Sequence, residues 1–329
     1  MIFSKDKWSN GDEIRAFVKV NTAVSFAMLE TPLNNAFNLF LKPLLGPSLS
    51  ARLIEIYNND APKDTEKELL HIAQLANANL ALWYEFDAIS VRITDAGFQR
   101  QESENGTFKP AYKYQEDNLR QSYKNKGFNA LDEMLDFLYL HISDFPEFAD
   151  SNTYKSQQSA IVRSTADVNN VVFINNSRLV FLRLQTHLKF VETMLLIPAI
   201  GEDLYNHLID SLLNDPVEEI EKKRIEMLRK ACANYIVVMA VRRLMMETGS
   251  LTDRGLYFTT VEAGEKGNEK RQPLSTDRIA IQIQNLKADA DMYMGTLQRV
   301  ISAHFPEFHA GNPQRVFDRD NDHKRTFWA

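Results

Sequence analysis

Few residues in this 329-residue chain have the type and spacing that chemistry requires. The single cysteine, Cys232, sits between alanines in an apolar run. A reactive thiol needs a cationic, accessible setting, so a small buried thiol is expected there. The histidines (His71, His141, His187, His207, His304, His309 and His323) are scattered, and none stands at zinc-ligand spacing from another. Asp318, Asp320 and Asp322 in "DRDNDH" alternate as in a calcium loop. However, His323 stands where the loop needs glycine and Ala329 where it needs a bidentate glutamate. "GEKGNEKRQP" mixes glycine and lysine without P-loop spacing and reads as a surface loop. There is no HExxH, no GxGxxG after a strand and no paired CxxC, so no catalytic, cofactor-binding or metal-binding residue is assigned and an enzyme is not expected.

Composition sets the frame for the elements. Hydrophobic residues make up 44% and charged residues 25%, as in a folded globular protein. The net charge of -6 argues against a surface built to coat nucleic acid. One cysteine and the opening "MIFSKDKWSN" favour a reducing, internal compartment. No run reaches the ~20 apolar residues that span a bilayer, so no membrane association is expected.

The most informative pattern is an internal repeat. "LKPLLGPSLSARLIEIYNND" and "LIPAIGEDLYNHLIDSLLND" match at an offset of 155: Pro43 with Pro198, Gly46 with Gly201, Asp60 with Asp215. The apolar pattern continues at that offset, Leu70 with Ile225, Ala76 with Ala231, Leu82 with Val237. "TDAG" (Asp95, Gly97) then matches "TDRG" (Asp253, Gly255), and Phe-Pro-Glu-Phe occurs twice, as Phe145-Pro146-Glu147-Phe148 and Phe305-Pro306-Glu307-Phe308. The expected fold is therefore mainly α: two tandem copies of a four-helix unit, each with a small β-hairpin between the third and fourth helices. Residues 1–150 would form the first unit, 151–164 a polar linker, 165–310 the second unit and 311–329 a C-terminal tail.

Within each copy, an amphipathic first helix is interrupted at Pro43 or Pro198, and Gly46 or Gly201 takes a left-handed conformation that closes it. A short helix then runs to the Asn-Asp pair, where Asp215 followed by Pro216 caps helix three. Helix three carries Leu69, Ala73, Ala76 and Leu80 on one face, and a deeply buried run, "YIVVMAVRRLMM", in the second copy. Asn79 and Asn234 recur in it and are expected to bond a neighbouring helix. Helix four points Leu119, Tyr123, Ala130, Met134, Phe137 and Leu140 inward, with Ile279, Ile283, Ala290, Met294, Leu297 and Val300 as their partners, and tolerates Gly127 in its interior. Phe145 and Phe305 precede proline and so end that helix, while Phe148 and Phe308 fold back onto the core. Phe327 and Trp328 end a charged tail that reads either as a partner-docking strand or as an ordinary terminus.

This order of helix, Pro/Gly break, short helix, capped helix, TDxG turn and long helix resembles the helical head-to-tail connector proteins of tailed bacteriophages. It is also similar to tandem-unit neck ring proteins of crAss-like phages. The resemblance implies a structural virion protein that forms a homo-oligomeric ring below the portal. Such a ring would touch portal and other neck or tail proteins, let DNA pass without specific contacts, and assemble in the host cytoplasm. The competing expectation is a non-viral all-helical scaffold or adaptor that binds protein partners.

Overall fold

A computed structural model describes residues 1–20, 24–94, 97–100, 112–214, 218–248, 257–261, 269–273 and 276–308. Asp95, Asp215, Pro216, Asp253, Gly255, Asp318 to His323, Phe327 and Trp328 lie outside the described residues. The chain is mainly helical. It divides into two compact units: one comprises Met1–Gln158 and Asn175–Leu179, the other Ser159–Ile174 and the residues from Val180 on.

In the first unit the helices are α1 (Asp12–Arg15), α2 (Phe26–Ala36), α3 (Lys42–Asn58), α4 (Asp64–Tyr84) and α5 (Phe86–Ser90). The strands β1 (Val91–Thr94) and β2 (Gly97–Arg100) follow, then α6 (Lys113–Leu140), α7 (Pro146–Ala149) and α8 (Asn152–Gln158). The second unit contains α9 (Thr165–Asn169), most of α10 (Arg178–Val191), α11 (Ile197–Ile200), α12 (Glu202–Leu213), α13 (Glu219–Thr248), β3 (Tyr257–Val261), β4 (Glu269–Pro273) and α14 (Thr276–His304).

The helices that begin as α2 and α10 do not stop at Pro43 and Pro198. A π turn, Phe37–Leu41 or Glu192–Leu196, leads directly into the proline-bearing turn. Proline lacks an N–H and its ring crowds the carbonyl four residues back. For Pro43 and Pro198 that carbonyl belongs to Leu39 and Met194, each inside a π turn, whose longer bonding step accommodates the misfit. The break comes at Gly46 (φ 76°, ψ 167°) and Gly201 (φ 86°, ψ 149°). Their φ is positive as expected, but ψ is extended rather than left-handed helical, a combination that essentially only glycine adopts.

Helix three buries the expected face: Leu69, Ala73, Ala76 and Leu80 are fully buried in α4. In α13, Ile236, Val237, Ala240, Val241 and Leu244 belong to the core of the second unit. Asn79 differs from expectation, since its Nδ2 donates to the Leu75 carbonyl of its own helix at 2.8 Å. Of the inward positions assigned to helix four, Tyr123, Ala130, Met134 and Phe137 are buried, whereas Leu119 and Leu140 are exposed. Those two residues flank the stretch that packs against α4, near opposite ends of α6. Ala290 and Leu297 are buried in α14, and Ile283, Met294 and Val300 pack partly buried against the core. Gly127 lies inside α6 without ending it.

Strands β1 and β2 pair antiparallel with Thr94 opposite Gly97, so the TDAG segment forms their connection. In the second unit TDRG lies outside the described residues. There β3 and β4 pair from Tyr257 opposite Pro273 to Val261 opposite Glu269, downstream of that motif. Consequently part of "GEKGNEKRQP", read as loop, is strand β4. The chain between the paired strands is longer in the second unit.

Two segments contribute more than sequence reasoning expected. Ile2 and Phe3 are buried in the first unit, as are Ile161 and Val162 in the second. Of the stretch 151–164 read as a linker, Asn152–Gln158 is helical within the first unit, and Ile161 and Val162 belong to the second core.

Candidate functional site

Geometry gathers most densely where each Phe-Pro-Glu-Phe meets helix three. In the first unit Arg52 projects from α3 between two carboxylates. Its Nη2 donates to Glu66 of α4 at 2.9 Å, and its Nη1 donates to Glu147 at 2.7 Å and to the Asp144 carbonyl at 3.1 Å. The guanidinium also lies 5.4 Å from the centroid of the Phe145 ring, within cation–π range. One planar fork thus ties α3, α4 and the exit of α6 together, a task for which a lysine ammonium lacks the geometry. The hydrogen bond from Arg52, joined by one from the Lys63 backbone N–H, holds the Glu66 carboxyl below its usual range.

The second unit builds the same clamp from a different helix. Arg224 of α13 donates to Glu221 at 2.7 Å, to Glu307 at 3.1 Å and to the His304 carbonyl, and lies 4.7 Å from the Phe305 centroid. Glu221 stands 155 residues after Glu66, and His304 stands 160 after Asp144. The position equivalent to Arg52 is His207, whose Nε2 lies 3.6 Å from Glu221 and whose ring stacks on Phe308 at 5.1 Å. The Glu307 carboxyl sits low, chiefly through a hydrogen bond from its own backbone and further through Arg224.

The structural anchors therefore divide. Phe145, Phe148 and Phe305 are fully buried, Phe308 is partly buried, and Pro146 and Pro306 are exposed. Asp60, Pro43 and Pro198 are exposed as well, and Gly97 lies in β2. Helix α14 ends immediately before Phe305, but α6 ends at Leu140, five residues before Phe145. Proline therefore fixes the turn after the helix in both units and sets the helix end in only one.

A second repeated contact lies at the start of each unit. Gln74 Nε2 donates to the Ile2 carbonyl at 2.9 Å, and Arg229, 155 residues later, donates to the Ile161 carbonyl at 2.9 Å. Arg229 also bonds Glu226 at 2.9 and 3.0 Å and Asp167 at 3.4 Å. In the first unit Arg178, almost fully buried, pairs with Asp132 at 3.2 Å. Sequence reasoning missed both contacts because the two starting segments share little beyond an isoleucine.

Among the described residues no group of three or more His, Cys, Asp or Glu side chains could hold a metal ion. Cys232 is fully buried, and burial pushes its thiol up, so the thiolate is disfavoured. Its counterpart Asn77 is also fully buried, and neither amide atom has a hydrogen-bond partner. An unpaired buried amide costs about 1–3 kcal/mol. Replacing Asn77 with the cysteine that the second unit carries at this position is therefore expected to raise stability by about that amount, as read from the urea unfolding midpoint. An unchanged or lower midpoint would mean that the amide has a partner after all.

Fold and clamps together define a mainly helical protein whose charged side chains join elements. Residues 41–158 and 196–318 each match one family, described as Family of unknown function (DUF6712). These matches cover well over half of the chain, which belongs to that family. No curated protein and no solved structure matches it. No described helix is long and apolar enough to cross a membrane.

Proposed function

We propose that the chain consists of two tandem copies of one four-helix unit with a strand pair before its last helix, and that it serves as a structural ring component of a phage neck. In this reading it is a head-to-tail connector below the portal. The observation that carries the reading is the double construction itself. One family matches twice, starting at positions 155 residues apart, and the π turns, Gly breaks, clamp carboxylates and starting contacts recur at nearly the same offset. The resemblance to tandem-unit neck proteins gives that construction a role, since each unit presents the same faces to neighbouring units in a ring.

Each copy also exposes a large apolar side chain at the equivalent point of its π turn, Leu39 at 51% and Met194 at 57%. Exposed apolar surface at a repeated position suits contacts between units. A net charge of -6 suits a lining past which DNA slides without adhering. Portal, neck and tail proteins would then be its neighbours and the virion its location.

Negative-stain imaging and mass photometry of the purified chain are expected to show closed homo-oligomeric rings. A monomer that persists at the highest attainable concentration and is missing from purified particles would overturn this proposal. Such a result, with recovery of a defined non-virion complex, would favour the scaffold or adaptor role.

A further inference from the structure

The two clamps differ in titratable groups, His207 standing where the first unit has Arg52 and His304 where it has Asp144, and the first difference has a consequence independent of the neck-ring reading. In the first unit the cation between Glu66 and Glu147 is Arg52, charged at every accessible pH. In the second unit the equivalent position holds His207, and Arg224 reaches the carboxylates from α13 instead. We propose that His207 is a proton-operated latch: when protonated, it fastens the Phe305–Phe308 turn onto α12 and α13.

The charges that face His207 support this. From α13 come the Glu221 carboxylate, 3.6 Å from Nε2, and the Arg224 guanidinium. From the turn after α14 comes Glu307, whose carboxylate interacts with His207 electrostatically and bonds Arg224 at 3.1 Å. From its own helix come Asp203 and Asp210, exposed and about one turn away. Adjoining α11, "IPAI", carries no charge. Arg224 opposes protonation, but two carboxylates face this single arginine, so the cluster keeps one uncompensated negative charge until His207 takes a proton. The His207 ring stacks on Phe308 at 28° and meets Phe305 edge-on at 6.3 Å. A charge gained by the imidazole therefore acts on the aromatic residues that close the unit.

The backbone bonds of the closing turns supply the readout. Phe305 N–H donates to the Ile301 carbonyl and Phe308 N–H to that of Phe305, while Phe145 N–H donates to Ile142 and Phe148 N–H to Phe145. Hydrogen exchange of the full chain, corrected for intrinsic rates, should show protection at Phe305 and Phe308 rising about three- to tenfold between about pH 8 and about pH 5.5. The turn at Phe145 and Phe148 holds a histidine of its own, His141 at 3.7 Å from Asp144, so the effect of His207 is read from its variants. His207→Arg, which restores the residue of the first unit, should hold protection high at both pH values. His207→Phe, which keeps a ring without a charge, should hold it low at both. The same pH response in wild type and His207→Phe, no response in wild type, or a response of opposite sign would each overturn the proposal. Should His207→Phe fail to fold, a pH response surviving in His207→Arg overturns it equally.

Discussion

Truncating Phe305 to alanine will cost about 3–5 kcal/mol of stability, the usual loss for a buried phenylalanine. The ring is fully buried, belongs to the core of the second unit, and is covered on one side by the Arg224 guanidinium at 4.7 Å. Removing it leaves a cavity bounded by α12, α13 and α14, and it also removes the surface over which Arg224 lies. Phe145→Ala should behave alike in the first unit, where the ring is equally buried beneath Arg52. By contrast, Glu307→Gln should cost far less, because the carboxylate is half exposed and such ion pairs contribute little. The phenylalanines rather than the charges would then dominate each Phe-Pro-Glu-Phe. Guanidinium unfolding followed by circular dichroism, fitted with a separate transition for each unit, measures these differences. A loss below about 1 kcal/mol for both phenylalanines would place the rings outside the load they are assigned here.

Residues that act within their own helix were legible from sequence, and residues whose partners are distant were not. The apolar face of α4 followed from spacing, because Leu69, Ala73, Ala76 and Leu80 recur at helical steps. The breaks at Gly46 and Gly201 followed from residue type, although ψ did not, since glycine alone does not specify which positive-φ region it enters. The π turns carried a readable signal that went unused: a proline inside an otherwise continuous helical pattern must displace the carbonyl four residues back. The clamps were beyond reach of self-comparison. A cation is needed at one place in space, but Arg52 supplies it from α3 and Arg224 from α13, so no aligned position shows an arginine in both copies. The strand pairs show a related limit, for TDAG lies between β1 and β2 whereas TDRG precedes β3. Local turn chemistry suggested equivalence there, and the longer chain between the second pair altered the register.

Gly127 and Gly295 carry the opposite lesson, that one residue type inside one kind of helix serves two ends. A Cβ built on Gly127 would lie 2.6 Å from Leu80 Cγ, 2.7 Å from its Cδ2 and 3.2 Å from its backbone nitrogen. Leu80 is fully buried, so its side chain has no free volume to retreat into, and α4 and α6 must separate. Overpacking of this kind costs about 1–3 kcal/mol even for small additions, and a larger side chain costs more. Against it stands the helical gain of about 1 kcal/mol from replacing an interior glycine with alanine. The contact with Leu80 is shorter than any real Cβ makes, so the packing loss wins, and Gly127→Ala should lower the unfolding midpoint of the first unit. Gly127→Leu should lower it further, by about 3 kcal/mol or more. Gly295, in α14, meets nothing within 4 Å, so Gly295→Ala should gain about 0.5–1 kcal/mol. Pairing Gly127→Ala with Leu80→Ala separates the two contributions: if the clash is the cause, the double variant will lose less than the sum of the single ones. Strict additivity, or a gain from Gly127→Ala alone, would show that the helices do not approach this closely and that Gly127 is merely tolerated.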